Sequence, residues 1–207
     1  AMRSLRDSAF GIHSDSISLG SLCDDGKGIQ IGPFGSQLHQ SDYVESGVPV
    51  VMPTEIENDR ICDSEIARVT EDKAESLSKH RLRPSDIVLP RRGDFDRRAI
   101  VTERETGWLC GTGCLRIRLQ DSSLASTVMQ SLASPSVLRW IDSRSVGTVM
   151  PNLNLQIVGN IPVRIPKPSL GQGAVTSLER MQKQRDSMMD RIDSIAQVSN
   201  VLLGGLK

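Results

Sequence analysis

Downstream of Pro168 the chain continues to its end without another proline, and this stretch restricts the possible architectures more than any other feature. Leu178, Met181, Met188, Ile192, Ile195 and Leu202 follow the alternating three- and four-residue steps of a coiled-coil seam, which only Arg185 and Ser199 interrupt. A helix from Gly171 to Leu203 would extend about 50 Å, longer than a small domain needs. Its remaining faces carry Glu179, Arg180, Lys183, Asp186, Asp190 and Arg191, and Gly204 with Gly205 supplies a stop. The pattern predicts a helical arm over 169–207 that pairs with another helix, a globular head over 17–168 and a frayed N-terminus over 1–16. A helix packed back on its own head is the plainer alternative.

The 207-residue chain has room for one such head and an appendage. With only 3% aromatic residues, the core has to be built from Ile, Leu, Val and Met. No run approaches about 18 uninterrupted apolar residues and no leader pattern is present, so neither a membrane span nor a secreted protein is expected. Ala1 ahead of Met2 is what cloning leaves behind, which suggests a piece of a longer polypeptide. Cys23, Cys62, Cys110 and Cys114 form no paired framework, which favours reduced thiols and a cytoplasmic setting. Cys110 and Cys114 bracket Gly111-Thr112-Gly113, but without a histidine at ligand spacing no metal or other cofactor is expected.

Net charge is zero, yet it is unevenly placed. Residues 40–75 hold ten acids against Arg60, Arg68 and Lys73, whereas 79–98 hold Lys79, Arg81, Arg83, Arg91, Arg92, Arg97 and Arg98 against three acids. A neutral chain with this distribution still presents a basic face.

Strands are expected at Ile29–Ile31, Val48–Met52, Asp86–Leu89, Ala99–Val101, Trp108–Cys110 and Cys114–Leu119, with the last two forming a pair. Helices are expected over 71–79, capped by Thr70, over 124–132 and over 136–143. Asn154 or a neighbour leads from the loop before it into the apolar stretch 155–158. Ile161 to Pro166 reads as an edge strand or linker. The fold class is therefore α/β of the α+β type: a twisted, mostly antiparallel sheet with peripheral helices, followed by the long C-terminal coiled-coil-like helix.

Catalytic signatures are lacking. No Asp or Asn precedes Pro-Pro-aromatic, as in amino-methyltransferases, and Gly26-Lys27-Gly28 has no hydroxyl after it to make a phosphate cradle. Asp63 with Glu71 and Lys73 has the residue types of a metal nuclease, but Glu71 to Lys73 opens a helix, where acids ordinarily sit. The strongest chemical signal is Arg91-Arg92-Gly93-Asp94-Phe95-Asp96-Arg97-Arg98. Its guanidinium forks match phosphate oxygens and the O6/N7 edge of guanine, carried on a mobile tip between two strands. Gly32, Phe34, Gly35, Ser36, Gln37 and His39 form a second polar, glycine-bearing loop, and Thr148, Asn152 and Asn154 a third.

In order, Ile31-Gly32-Pro33-Phe34-Gly35-Ser36-Gln37-Leu38, Arg91 to Val101, Gly111-Thr112-Gly113, Gly147-Thr148 with Pro151-Asn152-Leu153-Asn154, Ile161-Pro162-Val163 with Pro166 and Gln172, and then the helix resemble a known arrangement. It is the target-recognition domain plus helix of specificity subunits in type I restriction-modification systems, and of similar domains in fused restriction-modification enzymes. The likeness runs from Leu19 to Leu203. Family members carry two recognition domains and two helices; this chain has one of each, so it is either a half-length subunit that dimerises through its arm or part of a longer enzyme. The resemblance implies a non-catalytic module that recognises double-stranded DNA in defence against phage. It directs a methyltransferase subunit and a restriction subunit (translocase or nuclease) to the target. Lys79, Arg91, Arg92, Asp94, Arg97, Arg98 and the two polar loops are the candidate DNA contacts. A protein-interaction adaptor using the arm, and the metal nuclease, are the alternatives.

Overall fold

The computed structural model describes residues 15–24, 27–144 and 153–165, together with Gln184, Ser187, Met188, Arg191 and Ile195. The chain divides into two compact units, 1–165 and 166–207. Of the arm, the five described residues are helical and exposed, Met188 and Ile195 among them; Leu178, Met181, Ile192 and Leu202 lie outside the described residues.

The first unit is built from short strands. In chain order they are β1 (Ile17–Ser18), β2 (Ile29–Ile31), β3 (Tyr43–Val44), β4 (Val48–Val51), β5 (Ile56–Glu57), β6 (Arg60–Ile61) and β7 (Arg68–Val69), then helix α1 (Glu71–Ser76). After α1 come β8 (Ile87–Pro90), β9 (Ala99–Ile100), β10 (Leu109–Cys110), β11 (Cys114–Ile117), helices α2 (Ala125–Leu132), α3 (Pro135–Arg144) and α4 (Leu155–Gly159), and β12 (Pro162–Val163).

Two four-stranded sheets, ordered β2-β11-β8-β9 and β10-β4-β7-β3, carry the unit among the described residues, with the small pairs β1-β12 and β5-β6 beside them. Every pairing is antiparallel except β4 with β10. The α+β expectation therefore holds, with two sheets in place of one. The β2-β11-β8-β9 sheet is central and buried on both faces. Ile87, Leu89, Leu115 and Ile117 pack with Val128, Leu132, Trp140 and Ile141 of α2 and α3, while the alternate residues Val88 and Cys114 pack with Val51, Ile56 and Ile61. Two buried faces explain why β8 and β11 read as continuous apolar runs rather than alternating ones.

The expected pairing of Trp108–Cys110 with Cys114–Leu119 does not occur. Both edges of β11 are taken, by β2 and β8, so β10 leaves that sheet and lies parallel to β4, and Gly111–Gly113 carries the chain from one sheet to the other. Helix α1 begins as expected, with the Thr70 hydroxyl accepting from Lys73 N at 3.2 Å, but it stops at Ser76 and a short 3-10 turn covers Ser78–His80.

A cluster of charged groups lies within this core. Asp86, 1% exposed, accepts from Arg118 Nε at 2.7 Å and Nη2 at 2.6 Å and from the Arg83 amide at 2.8 Å; Arg116 Nη1 is 4.0 Å away. Arg116 sits on the same face of β11 as Cys114, and beyond Asp86 its side chain donates to Lys27 O at 3.0 Å. Among the described residues no helix is long and apolar enough to cross a membrane.

Candidate functional site

The topology of the central sheet gathers the sequence-predicted loops. β2 ends at Ile31 and β8 at Pro90, and the antiparallel β11 begins at Cys114, with Leu115 opposite Ile31 and Cys114 opposite Pro90. The loops 32–39, 91–98 and 111–113 therefore leave the same end of one sheet.

Arg91 joins them to a fourth segment. Its amide donates to Gly113 O at 2.7 Å, its carbonyl accepts from Leu153 N at 2.9 Å, and its Nε donates to Leu153 O at 3.3 Å. Its guanidinium carbon lies 5.9 Å from the centre of the Phe34 ring. A cation over an aromatic face at this range is attracted by the ring quadrupole.

The 32–39 loop is shaped by close approach and by its own bonds. A side chain on Gly32 would place its Cβ 1.9 Å from Gly111 O, so only glycine lets the two backbones meet here. Gln37 Oε1 accepts from the Phe34 amide at 3.2 Å, and the Gln37 and Leu38 amides both donate to Phe34 O. This small turn lifts Phe34, 58% exposed, and leaves Gly35 with open space around it; Ser36 is exposed as well.

The arginine loop, expected from sequence as a mobile tip, has a buried aromatic ring at its middle. Phe95 is 7% exposed within the apolar cluster under α2 and α3, a burial worth about 2 kcal/mol, and it pins the middle of the loop. The Asp94 carboxylate accepts from the Asp96 amide at 2.9 Å, and Gly93 turns the chain at φ +85°.

The four arginines differ in their surroundings. Arg92 is exposed and has no ion pair among the described residues. Arg97 donates to Pro53 O at 3.2 Å and lies 3.7 Å from Glu57. Arg98, its side chain 11% exposed, donates to Asp96 O at 2.8 Å and lies 3.8 Å from Asp59. Glu57 and Asp59 sit at the tip of the β5-β6 hairpin, where Asn58 and Asp59 both have positive φ as a tight primed turn requires. Part of the acidic segment thus meets part of the basic one, as the plainer reading of the charge distribution anticipates.

The other candidates are placed individually. Asn154 caps α4, its side-chain oxygen accepting from the Ile157 amide at 2.8 Å, and follows directly on Leu153. His39 is exposed, and its amide donates to Asp42, whose carboxyl is held below the usual range chiefly by the hydrogen bond from Lys73 and then by the one from the His39 amide. Lys79 is exposed in the 3-10 turn after α1, with no hydrogen bond or ion pair to these loops among the described residues. Thr148 and Asn152 lie outside the described residues. Gly111–Thr112–Gly113, singled out from sequence only as the turn between Cys110 and Cys114 and as one segment of the resemblance, belongs to the cluster: its one side-chain hydroxyl, on Thr112, donates to Pro33 O at 3.0 Å.

The two carboxylates and the lysine of the metal-nuclease reading are occupied in three separate ion pairs. Glu71 binds Arg81, Lys73 binds Asp42 at 2.9 Å, and Asp63 lies 3.6 Å from Arg104. Among the described residues no group of three or more His, Cys, Asp or Glu stands together. Burial pushes the Cys110 thiol up to about 12 and the Cys114 thiol well above its ordinary value.

Neither a protein-family sequence model nor a curated protein sequence matches the chain. Solved structures do. The S subunit of a type I restriction-modification system from M. genitalium superposes with a TM-score of 0.61 at 16% identity, over 98% of this chain and 48% of that one. The HsdS subunit from Thermoanaerobacter tengcongensis gives 0.55 at 14% identity, over 91% and 45%. A chain from a study of complex assembly and conformational transition in the type I restriction-modification system gives 0.54 at 15% identity, over 95% and 48%. The chain thus shares the fold of these specificity subunits and spans about half the length of the chains it matches.

Proposed function

We propose that the first unit is a non-catalytic module that reads double-stranded DNA by sequence and directs methyltransferase and restriction subunits to their target, in the cytoplasm and in defence against phage. The observation that carries this reading is Arg91, a single residue bonded to two loops and stacked on a third, with Arg92 exposed beside it. The shared fold supports the same role.

In this reading Arg91, Arg92 and Arg97 supply contacts to guanine or phosphate, and Phe34, Ser36, Gln37 and Asn152 approach base edges or thymine methyls. Arg98 positions the loop through Asp96 and Asp59. Because the chain spans half of its structural neighbours, two copies joined through the arm, or one copy within a longer polypeptide, would present two such modules. A dimer would select a split, two-fold symmetric sequence.

The test is selection of bound duplexes from a random pool, with and without a type I methyltransferase subunit. An enriched motif, bound with a steep salt dependence, is the expected result. Recovery of unenriched sequence under both conditions would refute the reading.

A further inference from the structure

Thr112 bears the only side chain beyond hydrogen in the turn that carries the chain from one sheet to the other. That turn is held from three directions. Gly111 N donates to Val51 O in β4 at 2.9 Å, Gly113 O receives the Arg91 amide at 2.7 Å, and the Thr112 hydroxyl reaches Pro33 O at 3.0 Å. Beyond Pro33 the crest Phe34–Ser36 stands exposed. Among the described residues its hydrogen bonds are internal ones to Gln37 and Leu38. Among the described residues Thr112 is therefore the one side chain that hydrogen-bonds the base of the Phe34 loop to the scaffold that also seats Arg91.

We infer that Thr112 is a positioning residue for sequence discrimination: its hydroxyl fixes Phe34 relative to Arg91, so that both meet the duplex in one register. This rests on the DNA-reading function proposed above. A loop free to shift by an ångström would still attract phosphate through Arg91 and Arg92, but it would average over base edges. Discrimination, not general affinity, is the quantity that Thr112 controls.

The experiment compares Thr112→Val, which keeps the shape and removes the donor, with Thr112→Ser, which keeps the hydroxyl, both in the full chain. The probes are the duplex enriched from the random pool and a random-sequence duplex. Thr112→Val is expected to lower the preference for the enriched duplex about three- to tenfold, the worth of one hydrogen bond, with random-sequence affinity unchanged; Thr112→Ser restores the preference. Without DNA, hydrogen exchange of the Phe34, Gln37 and Leu38 amides accelerates in Thr112→Val and not in Thr112→Ser. Faster exchange with an unchanged preference, or equal loss on both duplexes with a lowered unfolding midpoint, overturns the positioning role and leaves DNA reading intact. A pool that yields no enriched duplex overturns DNA reading and the role of Thr112 together, and the exchange data separate that failure from the first two.

Discussion

Arg91 and Leu153, 62 residues apart in sequence, are joined by two hydrogen bonds: Leu153 N donates to Arg91 O at 2.9 Å, and Arg91 Nε donates to Leu153 O at 3.3 Å. The side chain is thereby held at its neck, and its two Nη groups have no partner among the described residues. A guanidinium fixed in this way loses little rotamer freedom when it meets a phosphate or a guanine.

Arg91→Ala is expected to weaken binding to the enriched duplex by about 1 to 3 kcal/mol and to relax preference at one base pair. Arg91→Lys should recover only part of this, because an ammonium lacks the Nε donor that reaches Leu153. Fluorescence anisotropy against single-base variants of the duplex checks both.

Arg92 is exposed and unpaired among the described residues, so Arg92→Ala should weaken all sequences alike and flatten the salt dependence by about one unit. Titrations at several salt concentrations measure that slope.

Phe34→Ala should leave unfolding free energy within about 0.5 kcal/mol, because the ring is 58% exposed. It should still weaken specific binding by about 1 kcal/mol, because Arg91 loses its platform. Denaturation and anisotropy on the same sample separate the two effects.

Asp86→Asn should destabilise the first unit by about 3 to 5 kcal/mol. The substitution removes the carboxylate that balances Arg118 and Arg116 inside the core and leaves guanidinium charge buried without it. Urea denaturation at neutral pH is the measurement.

His80 is 1% exposed, and burial, with Lys79 and then Arg116 adding to it, lowers its pKa from 6.5 to about 4. The folded state therefore holds the imidazole neutral while the unfolded chain protonates it below about 6.5. Stability should fall as pH drops from about 6.5 toward 4, by up to about 3 kcal/mol from this group, and level off for it below. His80→Leu should flatten that part of the pH profile; an unchanged profile would exclude His80 as its source.

Local chemistry was legible from residue order alone. Thr70 before an acidic turn marked the start of α1, and the apolar runs around Ile31, Leu89 and Ile100 marked strands, since caps and strand propensities act over a few residues. The arginine pairs and the Gly-Pro-Phe-Gly-Ser loop were likewise visible as residue types with a chemistry. Long-range choices were hidden. That β10 would join β4 instead of β11 depended on β2 and β8 having filled both edges of β11, a competition among strands far apart in the chain. That Phe95 would be buried, Arg98 turned toward Asp59 and Thr112 bonded to Pro33 followed from which loops share one end of the central sheet. Residue identity settles what each group is able to do; its neighbours in space settle which of those capacities is already used and which is left for a partner.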